Sequence, residues 1–130
     1  MGARLHIPHG RINAMLLPYV IEFNAGLADE DASPACQAAA KKYARLAQLI
    51  GAGGMSVRSG VKNFVREIMK LEKALNMPQS FASCGANPTR QDKVVIARFA
   101  LSDGCFATTP RKASESQVVD ILNKLDAAGR

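Results

Sequence analysis

Apolar residues recur along this chain at intervals of three and four, the spacing that lays one side of an α-helix against a core. Five stretches carry the pattern. In residues 11–24, Ile12, Met15, Leu16, Tyr19, Val20 and Phe23 fall at helical spacing. Ala14, Leu17 and Ile21 fill the opposite side, which makes this helix apolar nearly all round and predicts a central place for it. Pro18 inside it removes one backbone hydrogen bond and predicts a kink. Ser33 and Pro34 supply a cap followed by proline at the first helical position. Cys36, Ala39, Ala40, Tyr43, Ala47 and Ile50 then form the inward stripe of a second helix, which Gly51 ends. A third begins near Ser56 and reaches residue 76, with Val61, Phe64, Val65, Ile68, Leu71 and Leu75 on its apolar face. A fourth is expected to start at the cap-then-proline pair Asn87-Pro88, to carry Val94, Val95, Ala97, Ala100 and Leu101, and to stop near Gly104. Ser114-Glu115-Ser116-Gln117 is a capping-box sequence. It opens a final helix through Val118, Ile121, Leu122 and Leu125 that frays over residues 127–130.

No stretch alternates as a strand would, and the short connections favour antiparallel neighbours. The expected fold is therefore all-α, a bundle of about five main helices with residues 1–130 as a single helical domain. A chain of 130 residues can bury roughly two-thirds of its unfolded surface without a disulfide or metal. The composition is 48% apolar but only 5% aromatic, with no Trp, which favours helices packed through small side chains. No apolar run approaches the roughly 20 residues of a membrane span, and residues 1–6 lack a signal-peptide core. A cytoplasmic protein with no membrane partner is expected. Cys36, Cys84 and Cys105 form no C-x-x-C pair, so they are expected as reduced thiols rather than a zinc or redox motif.

The net charge of +6 raises the question of an acidic partner. Arg58, Lys62, Arg66 and Lys70 recur every four residues as a basic stripe. No aromatics accompany it and Glu67 and Glu72 dilute it, so a solvated face and no nucleic-acid partner are expected. Asp29-Glu30-Asp31 is an acidic turn well placed before a helix N-terminus. The glycines of residues 51–54 follow a helix, not a strand, which excludes a phosphate loop. His6 and His9 lie close in sequence, but Pro8 pushes Ile7 toward extended backbone. The segment is read as an extended lead-in that sets His9 and Gly10 at the mouth of the central helix. Two histidines without a third ligand make a poor metal site.

Residues 8–24, which run Pro8-His9-Gly10, Asn13-Ala14, Leu16-Leu17-Pro18, Val20 and Phe23-Asn24, resemble a signature of the iron-containing (group III) alcohol dehydrogenases, P-H-G-x-x-N-A-x-L-L-P-x-V-x-x-F-N. A second segment, Ala100-Leu101-Ser102-Asp103-Gly104-Cys105 followed by Thr108-Thr109-Pro110-Arg111, is similar to the family's A-L-x-D-x-C and T-N-P-R, with Thr109 in place of the usual Asn. Tyr43-Ala44-Arg45-Leu46-Ala47 and residues 75–80 fit the intervening helices. The resemblance covers essentially the whole chain and is greatest to the propanol and lactaldehyde members.

It implies the C-terminal helical half of the dehydroquinate synthase-like fold. In that family the other half is an α/β nucleotide-binding domain, and a divalent metal in the cleft is held by one Asp and three His. The histidine of P-H-G is the last of those ligands and maps onto His9, with neutral imidazole as the donor. His6 matches no ligand position and is expected to be structural or cleft-lining, and Cys105 is expected near the substrate end of the cleft. The complete enzyme would use Fe2+ (or Zn2+) and NAD(P) on an alcohol or aldehyde substrate. The remaining ligands and the glycine-rich phosphate loop belong to the N-terminal nucleotide-binding half, which is the expected partner. Alone, the chain is expected to bind neither metal nor nucleotide tightly and to be inactive. The alternative is a stand-alone helical interaction module, forming a homo-oligomer through its exposed apolar face.

Overall fold

The computed structural model describes residues 2–128. They form six α-helices: α1 (Gly2–Leu5), α2 (His9–Asn24), α3 (Pro34–Leu49), α4 (Val57–Ala74), α5 (Arg90–Ser102) and α6 (Glu115–Ala127). Two 3-10 turns, Ala82–Cys84 and Gly104–Thr108, flank α5, and no strand occurs among the described residues. The all-α expectation is met.

Local chemistry sets most of the helix ends. Ser33 accepts from the Cys36 N–H at 3.3 Å, with Pro34 as the first helical residue. Ser56 with Ser59, and Ser114 with Gln117, close reciprocal capping boxes at α4 and α6. At the end of α3, Gly51 takes φ +75°. Its N–H bonds to the Gln48 carbonyl while Ala52 reaches back to Ala47, a paired closure that consumes two orphan carbonyls.

Three boundaries differ from the sequence expectation. The fourth helix is capped not by Asn87-Pro88 but by Thr89, whose hydroxyl accepts from the Asp92 N–H while the Asp92 carboxylate accepts from the Thr89 N–H. Asp92 is therefore held at about 2, first by the Thr89 hydroxyl and then by Arg4. The lead-in is not extended throughout, because α1 makes one helical turn before His6 reverses the chain at φ 53°. That reversal buries Ile7 and lets α2 begin at His9.

α2 is the spine. Around Ile12 and Met15, Phe81, Ala86, Ile96, Leu122 and Leu125 form one apolar cluster with Ile7. Around Ile21 and Ala25, Ala40, Val61 and Val65 form a second. The first half of α2 thus packs on α6, with Ile96 of α5 and Phe81 and Ala86 from the segment before it completing the cluster, and the second half packs on the α3–α4 hairpin. Pro18 is buried between them and the helix continues through it.

Not every apolar position predicted inward is buried. Ile50, Leu71 and Leu75 are exposed; Ile50 and Leu75 lie just past the last turns of α3 and α4, and Leu71 is in the final turn of α4, where nothing overlies them. Two charged groups take interior places instead. Lys93 is buried with its ammonium 2.9 Å from Asp126 and 3.0 Å from Asn123, tying α5 to α6. Glu72 is 7% exposed, and its Oε1 has no hydrogen-bond partner. Burial raises its pKa, partly offset by Gln79; Tyr19 on α2 is raised first by its own burial, then by Glu22 and last by Glu72.

The hairpin closes through small residues. A Cβ added to Gly60 would lie 2.9 Å from the Ala44 Cβ and 3.2 Å from its Cα. Gly60→Ala is therefore expected to lower unfolding free energy by about 1–3 kcal/mol, against the roughly 1 kcal/mol gain that Ala gives in an open helix; urea unfolding measures the sign. For Glu72, the folded state favours the neutral acid, so stability falls as pH rises above its ordinary value. Glu72→Gln is expected to gain about 1–2 kcal/mol at pH 7, a gain that vanishes in melts run well below that ordinary value.

Candidate metal and substrate site

His9 is the first residue of α2, directly after Pro8, which sits at φ −54° and ψ 136° and lends no side chain to the cap. The imidazole is exposed. One helical turn on, the Asn13 Nδ2–H donates to His9 Nε2 at 3.0 Å, the i, i+4 contact that α2 makes possible once it starts at His9. The other ring nitrogen has no hydrogen-bond partner among the described residues. Asn13, Leu17 and Val20 continue the exposed edge of α2 from His9, so beyond its first turn the helix leaves one stripe open.

The chemistry of a metal can be tested against this arrangement. As placed, the Asn13 amide donates to Nε2, which puts the ring proton on Nδ1. A metal-bound histidine donates its second N–H to an acceptor, so ligation through Nδ1 requires the Asn13 amide turned to present Oδ1 to an Nε2–H. No group of three or more His, Cys, Asp or Glu gathers among the described residues. A divalent cation needs at least three protein ligands at a catalytic site. The residues present therefore fit one ligand of a shared centre and not a complete one.

The other two residues singled out in the sequence do not join His9 through any hydrogen bond. His6 is exposed in its left-handed turn. Cys105 is exposed within the 3-10 turn Gly104–Thr108, where its N–H donates to Asp103 at 2.8 Å. That bond lowers the Asp103 carboxyl, and the carboxylate raises the Cys105 thiol, first by hydrogen bonding and then by its charge. Exposure alone does not make this thiol reactive.

Sequence reasoning missed the anchor of the Cys105 segment. Arg111 donates to the Phe23 carbonyl at 2.9 Å, pairs with Asp29 at 2.8 Å and lies 4.1 Å from the centre of the Phe23 ring. Asp29 is thus a structural partner rather than a member of a solvated acidic turn. Its signal was present only as an arginine and an acid far apart in sequence. A groove of about 710 Å³ opens beside this anchor, lined by Phe23, Leu27, Lys62, Arg111 and Ile121. It lies at the far end of α2 from His9, about 21 Å away along the helix at 1.5 Å per residue from His9 to Phe23.

The model of the family "Fe-containing alcohol dehydrogenase family, C-terminal" matches residues 1–125. The chain is 29% identical over 123 residues to the NADPH-dependent butanol dehydrogenase of Clostridium saccharobutylicum, covering 93% of this chain and 29% of that one. It is 28% identical over 125 residues to lactaldehyde reductase of Escherichia coli, covering 95% and 29%. The crystal structure of a 1,3-propanediol oxidoreductase superposes with a TM-score of 0.78 at 28% identity, covering 95% of this chain and 30% of that one. The chain spans less than a third of the length of each.

The Asp103 contact gives a direct check on Cys105. Asp103→Asn keeps the cap but removes the charge, so the thiol pKa is expected to fall. Alkylation by iodoacetamide at mildly alkaline pH should then accelerate about two- to five-fold, in proportion to the thiolate present. An unchanged rate would mean that Asp103 does not govern the thiol.

Proposed function

The chain belongs to the Fe-containing alcohol dehydrogenase family, as a C-terminal portion of it, and on that premise we propose that it forms the metal-side wall of an alcohol dehydrogenase active cleft. His9 is one ligand of the divalent metal. The observation that carries this is the exposed imidazole at the head of α2, with Asn13 on one ring nitrogen and the other open.

Bound iron or zinc would supply Lewis acidity to an alcohol oxygen while hydride passes to a nicotinamide. The chain's own part is positional. With its amide oxygen turned to the ring, Asn13 accepts from Nε2–H and leaves Nδ1 as the metal donor, and α2, buried on two sides, holds both residues on a rigid rod. Leu17 and Val20 carry the apolar edge onward from Asn13 and shield the cleft from water once a second domain covers them. His6, just before the P-H-G turn, is a cleft-lining residue, and Cys105 a wall residue toward the substrate. NAD(P) and the remaining metal ligands come from the nucleotide-binding part of the enzyme, the site of action is the cytoplasm, and the 130-residue chain alone is inactive. Among the described residues no helix is long and apolar enough to cross a membrane.

The test is reconstitution. The chain is mixed with a separately expressed nucleotide-binding portion of an iron-type relative, and alcohol-dependent NAD(P)H formation and bound iron are measured. Activity is expected only in the mixture. His9→Ala is expected to abolish it and to release the iron, and Asn13→Ala to weaken metal affinity about 10- to 100-fold. Activity that survives His9→Ala would remove the ligand assignment. A chain that ignores the nucleotide-binding portion and dimerises through Leu17 and Val20 in sedimentation would instead support the interaction module.

A further inference from the structure

The charge of this protein is not spread over its surface. Residues 34–75 carry eight Lys and Arg against Glu67 and Glu72, a net +6 equal to that of the whole chain, so the remainder is balanced. No Asp or Glu occurs between Asp31 and Glu67. Of the two acids, Glu67 is paired with Lys70 at 2.6 Å and Glu72 is buried. The outward field of the α3–α4 hairpin is therefore almost purely positive.

The same hairpin ends in exposed apolar side chains. Leu49 is 74% exposed, Ile50 is 56% exposed, and Met55 is fully exposed. They stand on a turn held in one shape. The Gly51 closure fixes one side, the Ser56–Ser59 box fixes the other, and Asn63 donates to the Gly53 carbonyl at 3.1 Å between them. On the outer side of α3, Lys41, Lys42 and Arg45 lie one and two turns before Leu49. A rigid, convex, apolar tip is thus backed by cations on the same helix.

We propose that the outer side of α3 and the α3–α4 turn dock on an anionic lipid surface, with Leu49, Ile50 and Met55 entering the headgroup layer and Lys41, Lys42 and Arg45 facing the phosphates. Two complementary terms act together, as in other two-signal peripheral attachments. A second copy fits poorly, because it would bring two strongly positive hairpins together. A nucleic acid would leave the tip unused, and the hairpin's aromatics, Tyr43 and Phe64, are stacked on each other at 6.2 Å rather than offered to bases. An acidic protein would need a hollow to receive a convex tip, whereas a bilayer accepts one. The surface is separate from His9, since the hairpin packs on the far half of α2. It departs from the expectation of no membrane partner, which rested on the lack of a spanning run and of a signal-peptide core and did not weigh surface attachment.

The 130-residue chain is sedimented with phosphatidylcholine vesicles that contain or lack phosphatidylserine. Binding is expected on the anionic vesicles, at least tenfold weaker on the neutral ones, and weakened by salt. Reversing Lys41, Lys42 and Arg45 to Glu should cost about fivefold per residue or more. Leu49→Asp with Met55→Asp should cost about tenfold or more, with helical circular dichroism unchanged, while Lys112→Glu, outside the hairpin, changes little. Equal binding to both vesicle types, or none to either, overturns the proposal. So does anionic binding indifferent to the tip substitutions, or a dimer dissolved by Met55→Asp in the absence of vesicle binding. Binding to single-stranded DNA that displaces the vesicles and ignores the tip would assign the face to nucleic acid.

Discussion

A helix whose apolar residues encircle it cannot lie at the margin of a bundle, because one side would then face water along its whole length. α2 is such a helix, and it is covered from two directions by two different pairs of elements. α6, backed by Ile96 of α5 and by Phe81 and Ala86, closes over Ile12 and Met15, and the α3–α4 hairpin closes over Ile21 and Ala25. Fully burying one aliphatic side chain is worth roughly 1.5–3 kcal/mol, so these two clusters dominate what positions the remaining parts. What the cover leaves open is one narrow edge, from His9 through Asn13 to Leu17 and Val20. The candidate site is a product of incomplete enclosure.

That edge offers one oriented nitrogen and no companions among the described residues. A metal centre divided between two pieces of structure has a physical merit. Each piece folds around its own core without having to bury charged ligands, and the ion is held only where the pieces meet. The cleft then forms at the junction, where water can be expelled as the second wall arrives.

Much of the fold was legible because it is written locally. Ser33-Pro34, Gly51 and the Ser114–Gln117 box name their own helix ends, and the stripes through Ala39, Ala47, Val61 and Val65 name their inward sides. What failed was whatever depends on distant neighbours. Leu71 and Leu75 keep the helical spacing but have nothing above them, and the chain spends Lys93 and Glu72 on interior places that no periodicity announces. Thr89 outcompeted Asn87-Pro88 because Asp92, three residues on, completes a reciprocal box that the earlier pair lacks. At the candidate site, His9 is singled out only by its place in a motif. Its partner Asn13 follows from a helix starting two residues earlier than the apolar pattern indicates, and the Arg111–Asp29 anchor joins residues with no local signal at all.

The approach of Gly60 to Ala44 has a consequence for how this hairpin can change over time. Where two backbones nearly touch, one helix cannot slide along the other, since any shift would drive a bulkier side chain into the notch. The crossing acts as a peg that keeps the tip and the cationic side in fixed register with the spine. Outer positions are then free to vary in charge and shape, while the two contact positions accept little beyond the smallest residues.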